Sequence, residues 1–372
     1  IDEYRKLFEK PGEFLVVQAE EISNASADGK PVHINAVNLP GETAIAAVKK
    51  ESGLSVTEVI RHNLQAVAER EKQIGDCGGE FFCWIKHPGT CMLDDDNRAI
   101  AAATVASDLV VYLTPVTFGG YSSALKRMVD HMIQNISPFF ATVEGETHHH
   151  KRYARYPDFM VLGWMQAPGS GAPDARSETI FRHLVQRNAI NWHAETDLSD
   201  VVLASQADDE LAAQAQGWLD DLRSRRSSPQ VELPAGVAPL AALGAGSSDA
   251  GPVEIKRALL LVGSPKRLKS NSHALGSYLL EQLDAQSTAH SIESETICLH
   301  SALRSPEKTQ ALLDAVDAAD LIALTFPLYV DSLPAPVIDA LQRIAAHRGR
   351  DASRARLIAL ANSGFPEVQH NA

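Results

Sequence analysis

The chemistry in this chain concentrates in a loop reading GSPKRLKSNS, from Gly263 to Ser272. It lies between an apolar run and a stretch of helical spacing. Ser264, Ser270, Asn271 and Ser272 offer hydroxyl and amide groups, and the helix that follows presents unpaired N–H groups and its positive dipole end. Lys266, Arg267 and Lys269 add positive charge. Such a set suits a phosphate monoester, with Ser264, Lys266, Asn271 and Ser272 as the binding residues. It has neither the GxGxxG nor the GK[ST] spacing. The plain alternative is an ordinary turn with a polar cap.

A second pattern occurs twice. From Asp108 the chain reads DLVVYLTPVTFGGYSSALKRMVDHM, and from Asp320 it reads DLIALTFPLYVDSLPAPVIDALQRI. Each copy has an Asp, a β-branched apolar run, a Pro (Pro115 and Pro327), a turn and an amphipathic helix. A continuous apolar run before a helix predicts a parallel strand buried on both faces. A Pro at its carboxyl end stops the ladder, at the place where open α/β sheets bind ligands.

Other reactive residues carry less. Cys77, Cys83 and Cys91 fall in DCGGEFFCWIKHPGTCMLDDD. They read as three reduced thiols on a structural loop, with a metal site as the main alternative and a redox-active pair as a minor one. THHHKRY, from Thr147 to Tyr153, reads as an exposed loop without a carboxylate to orient its histidines. Asp94, Asp95 and Asp96 read as a solvated turn before a helix over Asn97–Ala106. No Ser-His-Asp set or catalytic carboxylate pair follows from spacing.

The 372 residues allow two or three domains, and 45% hydrophobic with 22% charged residues is a globular composition. A net charge of −13 argues against a nucleic-acid partner. No apolar run approaches the roughly 18–20 residues that cross a bilayer, so no membrane role is expected. Four cysteines do not make a disulfide framework, which points to a reducing, cytoplasmic setting. A start at Ile1 and a stop at Ala372 just after a strand-like run read as the ends of a piece of something longer.

A Pro-, Gly-, Ser- and Ala-rich stretch separates the two copies and reads as a linker over 226–256. Beyond it, strands and helices alternate over 257–372, which predicts a doubly wound parallel sheet. Residues 73–225 alternate likewise, with strands near Asp108–Val116, Asp158–Met165 and Asp200–Leu203. Their helices are predicted at Tyr121–Ile133, Glu178–Arg187 and Asp209–Arg223. No strand–GSP–helix unit precedes Cys77. Residues 1–72 form a separate small α/β segment, with strands EFLVVQAEEI and PVHINAVNL and a helix capped by Ser55. The predicted fold class is therefore α/β, with two tandem units and an N-terminal appendage.

GSPKRLKSNS, the Pro327-Leu328-Tyr329 strand end and NSGFPE at Asn362–Glu367 together resemble the flavodoxin-like NADPH-dependent FMN reductases. The resemblance implies a flavodoxin-like fold, FMN as cofactor and NAD(P)H as co-substrate. Hydride would pass to the flavin and electrons onward to a quinone, nitro compound, second flavin or protein acceptor. It assigns the FMN phosphate to Ser264, Lys266, Asn271 and Ser272. It assigns the ring to Pro327, Leu328, Tyr329 and Val330, with Ser363 and Gly364 on its other edge. A homodimer is also implied. This copy lacks the last strand and helix of the fold.

The first copy is similar to the iron–sulfur flavoprotein branch of that family and its cluster-free relatives. One expected cluster ligand is replaced by Glu80, so no iron–sulfur cluster is expected. Pro115, Val116, Thr117, Phe118 and Gly119 match the ring loop, with Gly119 and Gly120 letting backbone approach a flat ring. No phosphate loop accompanies them. Residues 1–72 resemble part of a PHP-type metallohydrolase, which implies Glu21 and His33 as metal ligands in an incomplete site. Two rivals to a flavin reductase remain: a PHP-like metal-dependent hydrolase with appendages, and a non-enzymatic electron carrier or scaffold.

Overall fold

The computed structural model describes residues 19–25, 31–37, 74–143, 145–165, 174–231, 254–287, 290–349 and 355–364. The chain divides into two units: Ile1–Gly75 with Phe81–Val231, and Asp76–Glu80 with Glu232–Ala372. Among the described residues no helix is long and apolar enough to cross a membrane. The helix predicted after Ser55 lies outside the described residues, as does most of the predicted linker.

The first unit opens with an antiparallel pair, β1 (Ala19–Ala25) and β2 (Pro31–Val37). A short helix α1 (Phe82–Ile85) and α2 (Asp96–Ala106) follow. The Asp95 side chain caps α2 by accepting from Asn97 N at 3.0 Å, so the acidic turn is a helix start. Then come β3 (Leu109–Pro115), α3 (Ser123–His131), the strands β4 (Ile136–Val143) and β5 (Glu146–Lys151), and β6 (Asp158–Met165). The unit ends with α4 (Ala175–Asn191), β7 (Asp197–Leu203) and α5 (Asp208–Arg223). Strands β3, β6 and β7 form a parallel sheet in that order.

Its core is aromatic. Tyr112 meets Tyr121 and Phe159 edge-on, and Tyr121 meets Phe181. The Tyr121 hydroxyl donates to Asn188 Oδ1 at 2.9 Å. At the other side of the sheet Asp200 accepts from Arg182, Gln214 and Trp218, which ties α4 and α5 to β7. Burial works against the charged carboxylate, but these donors hold the Asp200 pKa below its ordinary value. That stabilisation is present above the unfolded carboxylate range, near pH 4, and is lost as pH falls through the lower folded value. Asp200→Asn should therefore be less stable than the parent at neutral pH, with the gap closing in acid. Denaturant titrations at a series of pH values read this directly.

The second unit contains β8 (Arg257–Val262), α6 (Asn271–Gln286), β9 (Glu293–Cys298), a short helix α7 (Leu299–Ala302) and α8 (Pro306–Ala318). It continues with β10 (Leu321–Pro327), α9 (Ala335–Arg348) and β11 (Arg356–Asn362). All four strands are parallel, in the order β11-β10-β8-β9. Leu259, Leu261, Leu312, Val316, Leu324 and Val337 fill one face of the sheet. On the other face Leu280 of α6 packs on Ala258, Leu260 and Ala323. Gly276 permits that approach, since a Cβ there would run into Leu260 and come 3.0 Å from Thr325. Gly276→Ala should cost about 1–3 kcal/mol by overpacking, read from urea unfolding.

The two sheets are overlapping portions of one doubly wound order. Counting strands as a flavodoxin-like 2-1-3-4-5 sheet, β9-β8-β10-β11 supplies 2-1-3-4 and β3-β6-β7 supplies 3-4-5. This corrects one expectation. β10 is buried on both faces, as its apolar run predicts, but β3 is not. Leu109, Val111 and Leu113 are 37%, 45% and 38% exposed. β10 lies between β8 and β11, whereas β3 pairs only with β6 among the described residues. The same sequence pattern therefore yields different burial because its neighbours differ.

The THHHKRY expectation is also corrected. Thr147–Lys151 of this stretch lies in strand β5, paired with β4, and His148 is fully buried. Its Nδ1 lies 2.8 Å from Asn191 Oδ1 and its Nε2 lies 3.1 Å from Glu146 Oε2. Arg187 Nη2 reaches the same Glu146 oxygen at 2.6 Å. The carboxylate orienter is two residues upstream, where alternation along the strand puts it on the histidine's face.

Candidate functional site

In the second unit the carboxyl ends of β8, β10 and β11 converge on the start of α6. The Gly263 N–H donates to Thr325 O at 2.7 Å, where the loop leaves β8. The Ser264 hydroxyl accepts from Lys266 N at 3.3 Å, and Ser264 O accepts from Arg267 N at 3.0 Å. These bonds fold Ser264–Lys269 into a tight turn. Ser270 then caps α6, its hydroxyl accepting from His273 N at 3.1 Å. The first N–H groups of α6, on Asn271 and Ser272, have no acceptor among the described residues. Lys266, Arg267, Lys269 and Asn271 are exposed, while Ser264 and Ser272 are buried.

Ser272 has a visible second task. Its hydroxyl donates to Asn362 Oδ1 at 2.6 Å, and Asn362 O accepts from Leu328 N at 3.0 Å. Asn362 thus ties the start of α6 and the end of β10 to the end of β11. Sequence reading placed the neighbouring Ser363 and Gly364 at the site and passed over Asn362 as a binding residue. Its signal was its place as the last residue of the apolar run.

After Pro327, residues Tyr329 and Ser332 bridge each other, with Tyr329 N to Ser332 O at 3.0 Å and Ser332 N to Tyr329 O at 3.2 Å. Val330 and Asp331 between them have φ of 46° and 59°. Two left-handed residues make a type I′ turn. A β-branched residue there is strained, and such strain clusters at ligand clamps. The Ser332 hydroxyl is buried without a hydrogen-bond partner among the described residues. The short stretch Asp76–Glu80 belongs to this unit: the Gly79 backbone lies against the Tyr329 hydroxyl, and a Cβ there would come 3.6 Å from Pro265. Sequence spacing offers no signal for that approach.

The first unit repeats this turn. Thr117 and Gly120 bridge each other at 2.9 Å in both directions, around Phe118 (φ 52°) and Gly119 (φ 76°). Val116 N donates to Trp164 O at 2.9 Å, matching Leu328 on Asn362. Phe118 is 53% exposed. The expectation that Gly119 lies open to a flat ring meets a different geometry. A Cβ on Gly119 would come 2.9 Å from Ile180 Cγ2, and one on Gly120 3.5 Å from Leu184, so α4 packs on both glycines. Among the described residues no strand–loop–helix unit lies beside β3 to bring a helix start to Pro115.

Glu21 and His33 lie on β1 and β2. In the register of that pair Glu21 stands opposite Asn35 and His33 opposite Ser23. Among the described residues, no group of three or more His, Cys, Asp or Glu gathers to hold a metal ion. Cys77 is half-buried, and Cys83 and Cys91 are buried.

A sequence model described as NADPH-dependent FMN reductase matches residues 20–154 and 257–367. The first segment takes in Glu21 and His33, and the second runs from β8 past Asn362. No curated protein matches the chain, and no solved structure does.

Proposed function

The chain belongs to the NADPH-dependent FMN reductase family, and we propose that its second unit binds FMN and passes electrons from NAD(P)H to a small-molecule acceptor. The observation that carries this reading is the convergence at β8, β10 and β11. A cationic turn at a helix start stands beside a strained turn with an orphaned hydroxyl.

The residues fit the group. The N-terminus of α6, with Ser264, Asn271, Ser272 and the cations of Lys266, Arg267 and Lys269, is a donor set for a phosphate dianion. Pro327, Leu328, Tyr329 and Val330 are the residues to line the ring, and Ser332 Oγ has a hydrogen bond still to make. When bound, FMN supplies the hydride and electron transfer. The chain's part is to anchor the phosphate, hold the ring against a rigid turn and orient the nicotinamide. We further propose a quinone, nitro compound or flavin as acceptor, and a homodimer as the working form.

The test is a visible spectrum of the purified protein with added FMN, followed by NADPH under anaerobic conditions. Bound flavin that bleaches rapidly is the expected result. A protein that takes up no FMN would overturn the proposal, and slow bleaching by NADPH with fast bleaching by dithionite would favour an electron carrier. One flavin per chain is expected. Two would show that the turn at Thr117–Gly120 also holds one, without a phosphate cradle.

A further inference from the structure

Three groups distant in sequence meet in the first unit at the end of α3. Cys91 Sγ lies 3.4 Å from His131 Nδ1. His131 Nε2 lies 2.7 Å from the carbonyl oxygen of Gly75. A carbonyl only accepts, so Nε2 carries a proton and donates it. Nδ1 is thereby left facing the thiol as the atom that takes or shares the sulfur's proton. A nucleophile, a base and a group that orients the base form the arrangement found where a thiol is activated.

The surroundings hold that geometry. The Cys91 N–H donates to Gln134 Oε1 at 2.9 Å, and its carbonyl accepts from Arg98 Nε at 2.9 Å. His131 is 2% exposed and Cys91 is 7% exposed. Among the described residues, the Asp95 carboxylate at the start of α2 acts on His131, and Arg98 one turn on reaches the Cys91 carbonyl. Burial disfavours a charged imidazole, yet the Cys91 sulfur, the Gly75 carbonyl and the Asp95 carboxylate outweigh it. The His131 pKa accordingly lies above its ordinary value. Neither the proposed phosphate cradle nor the ring-side turns use any of these residues.

We propose that Cys91 is an oxidisable nucleophilic thiol, with His131 as its base and the Gly75 carbonyl as the orienter, which hydrogen peroxide converts to a sulfenic acid. The thiol proton passes to His131 Nδ1. The sulfur attacks one peroxide oxygen, a sulfur–oxygen bond forms and the oxygen–oxygen bond breaks. The departing hydroxide takes the proton from Nδ1 and leaves as water. Sulfur gives up an electron pair, and the peroxide receives it. The step needs no flavin, so its test stands apart from that of the reductase activity.

Cys298 is an internal control, since it is less buried than Cys91 but burial pushes its thiol pKa up. The full chain is exposed briefly to hydrogen peroxide at neutral pH, quenched with catalase and unfolded into dimedone. Tagging then no longer depends on access to the folded site. Peptide mass spectrometry should show Cys91 oxidised about tenfold faster than Cys298 or more. Equal or slower oxidation at Cys91 overturns the proposal. His131→Asn should remove the difference while the far-UV spectrum and unfolding midpoint confirm a folded chain. A folded variant with an unchanged rate at Cys91 also overturns it. Should that variant fail to fold, His131→Gln is read the same way, and an unchanged rate at Cys91 in the folded variant would sink the assignment.

Discussion

Replacing Lys126 with methionine is expected to destabilise the first unit by about 3–5 kcal/mol. Lys126 and Asp130 lie one turn apart on α3, and their side chains are 0% and 2% exposed. They form a direct ion pair within a helix whose other buried residues include Val129 and His131. Removing the ammonium leaves a carboxylate in a site with little water to solvate it, which costs more than the pair itself contributes. The double variant Lys126→Met with Asp130→Leu should recover much of the loss, because the desolvation cost disappears with the charges. Urea unfolding of the two variants measures this. A single variant within 1 kcal/mol of the parent would mean that water reaches the pair.

Placing a carboxylate at the start of α6, as Asn271→Glu, is expected to weaken FMN binding about ten- to a hundredfold. Asn271 is exposed, and an acidic residue in a first helical turn favours the helix dipole, so the fold should be unharmed. A bound phosphate would then meet a like charge within a few ångströms. At the effective dielectric of a protein surface this repulsion is worth about 1–3 kcal/mol. Riboflavin has the same ring and no phosphate, so its affinity should barely change. Parallel fluorescence titrations with FMN and riboflavin separate the two contributions. Equal losses for both would move the phosphate away from α6.

The elements in the two repeats were legible because their signals are local. An apolar run ending at Pro327, a Ser before a helical stretch and a Pro inside a first turn each act within a few residues. The strands at Leu109–Pro115, Asp158–Met165 and Leu321–Pro327 accordingly fall where the sequence puts them. The β5 strand was missed because three successive histidines mask its alternation. Only the buried His148 shows which face is inward.

The candidate site was half legible. The turn Ser264–Ser270 announces itself by composition and by position between a strand and a helix. Asn362 does not, since its role rests on Ser272 and Leu328 arriving from other strands. The left-handed pair Val330 and Asp331 was equally hidden. Aspartate tolerates a positive φ but valine disfavours one, and the bridge between Tyr329 and Ser332 holds both there.

By itself, then, the sequence determined the α/β class, the repetition of the Asp-to-Pro passage and the phosphate-suited turn, since each depends on residue type and spacing. Tertiary structure decided what sits beside each copy. β10 has β8 on one side and β11 on the other, with α6 against the sheet, whereas β3 leaves Leu109, Val111 and Leu113 uncovered. It also decided that Cys91, His131 and Gly75 meet. Burial and hydrogen-bond partners are set by which distant segments pack together, and the local pattern along the chain does not encode that.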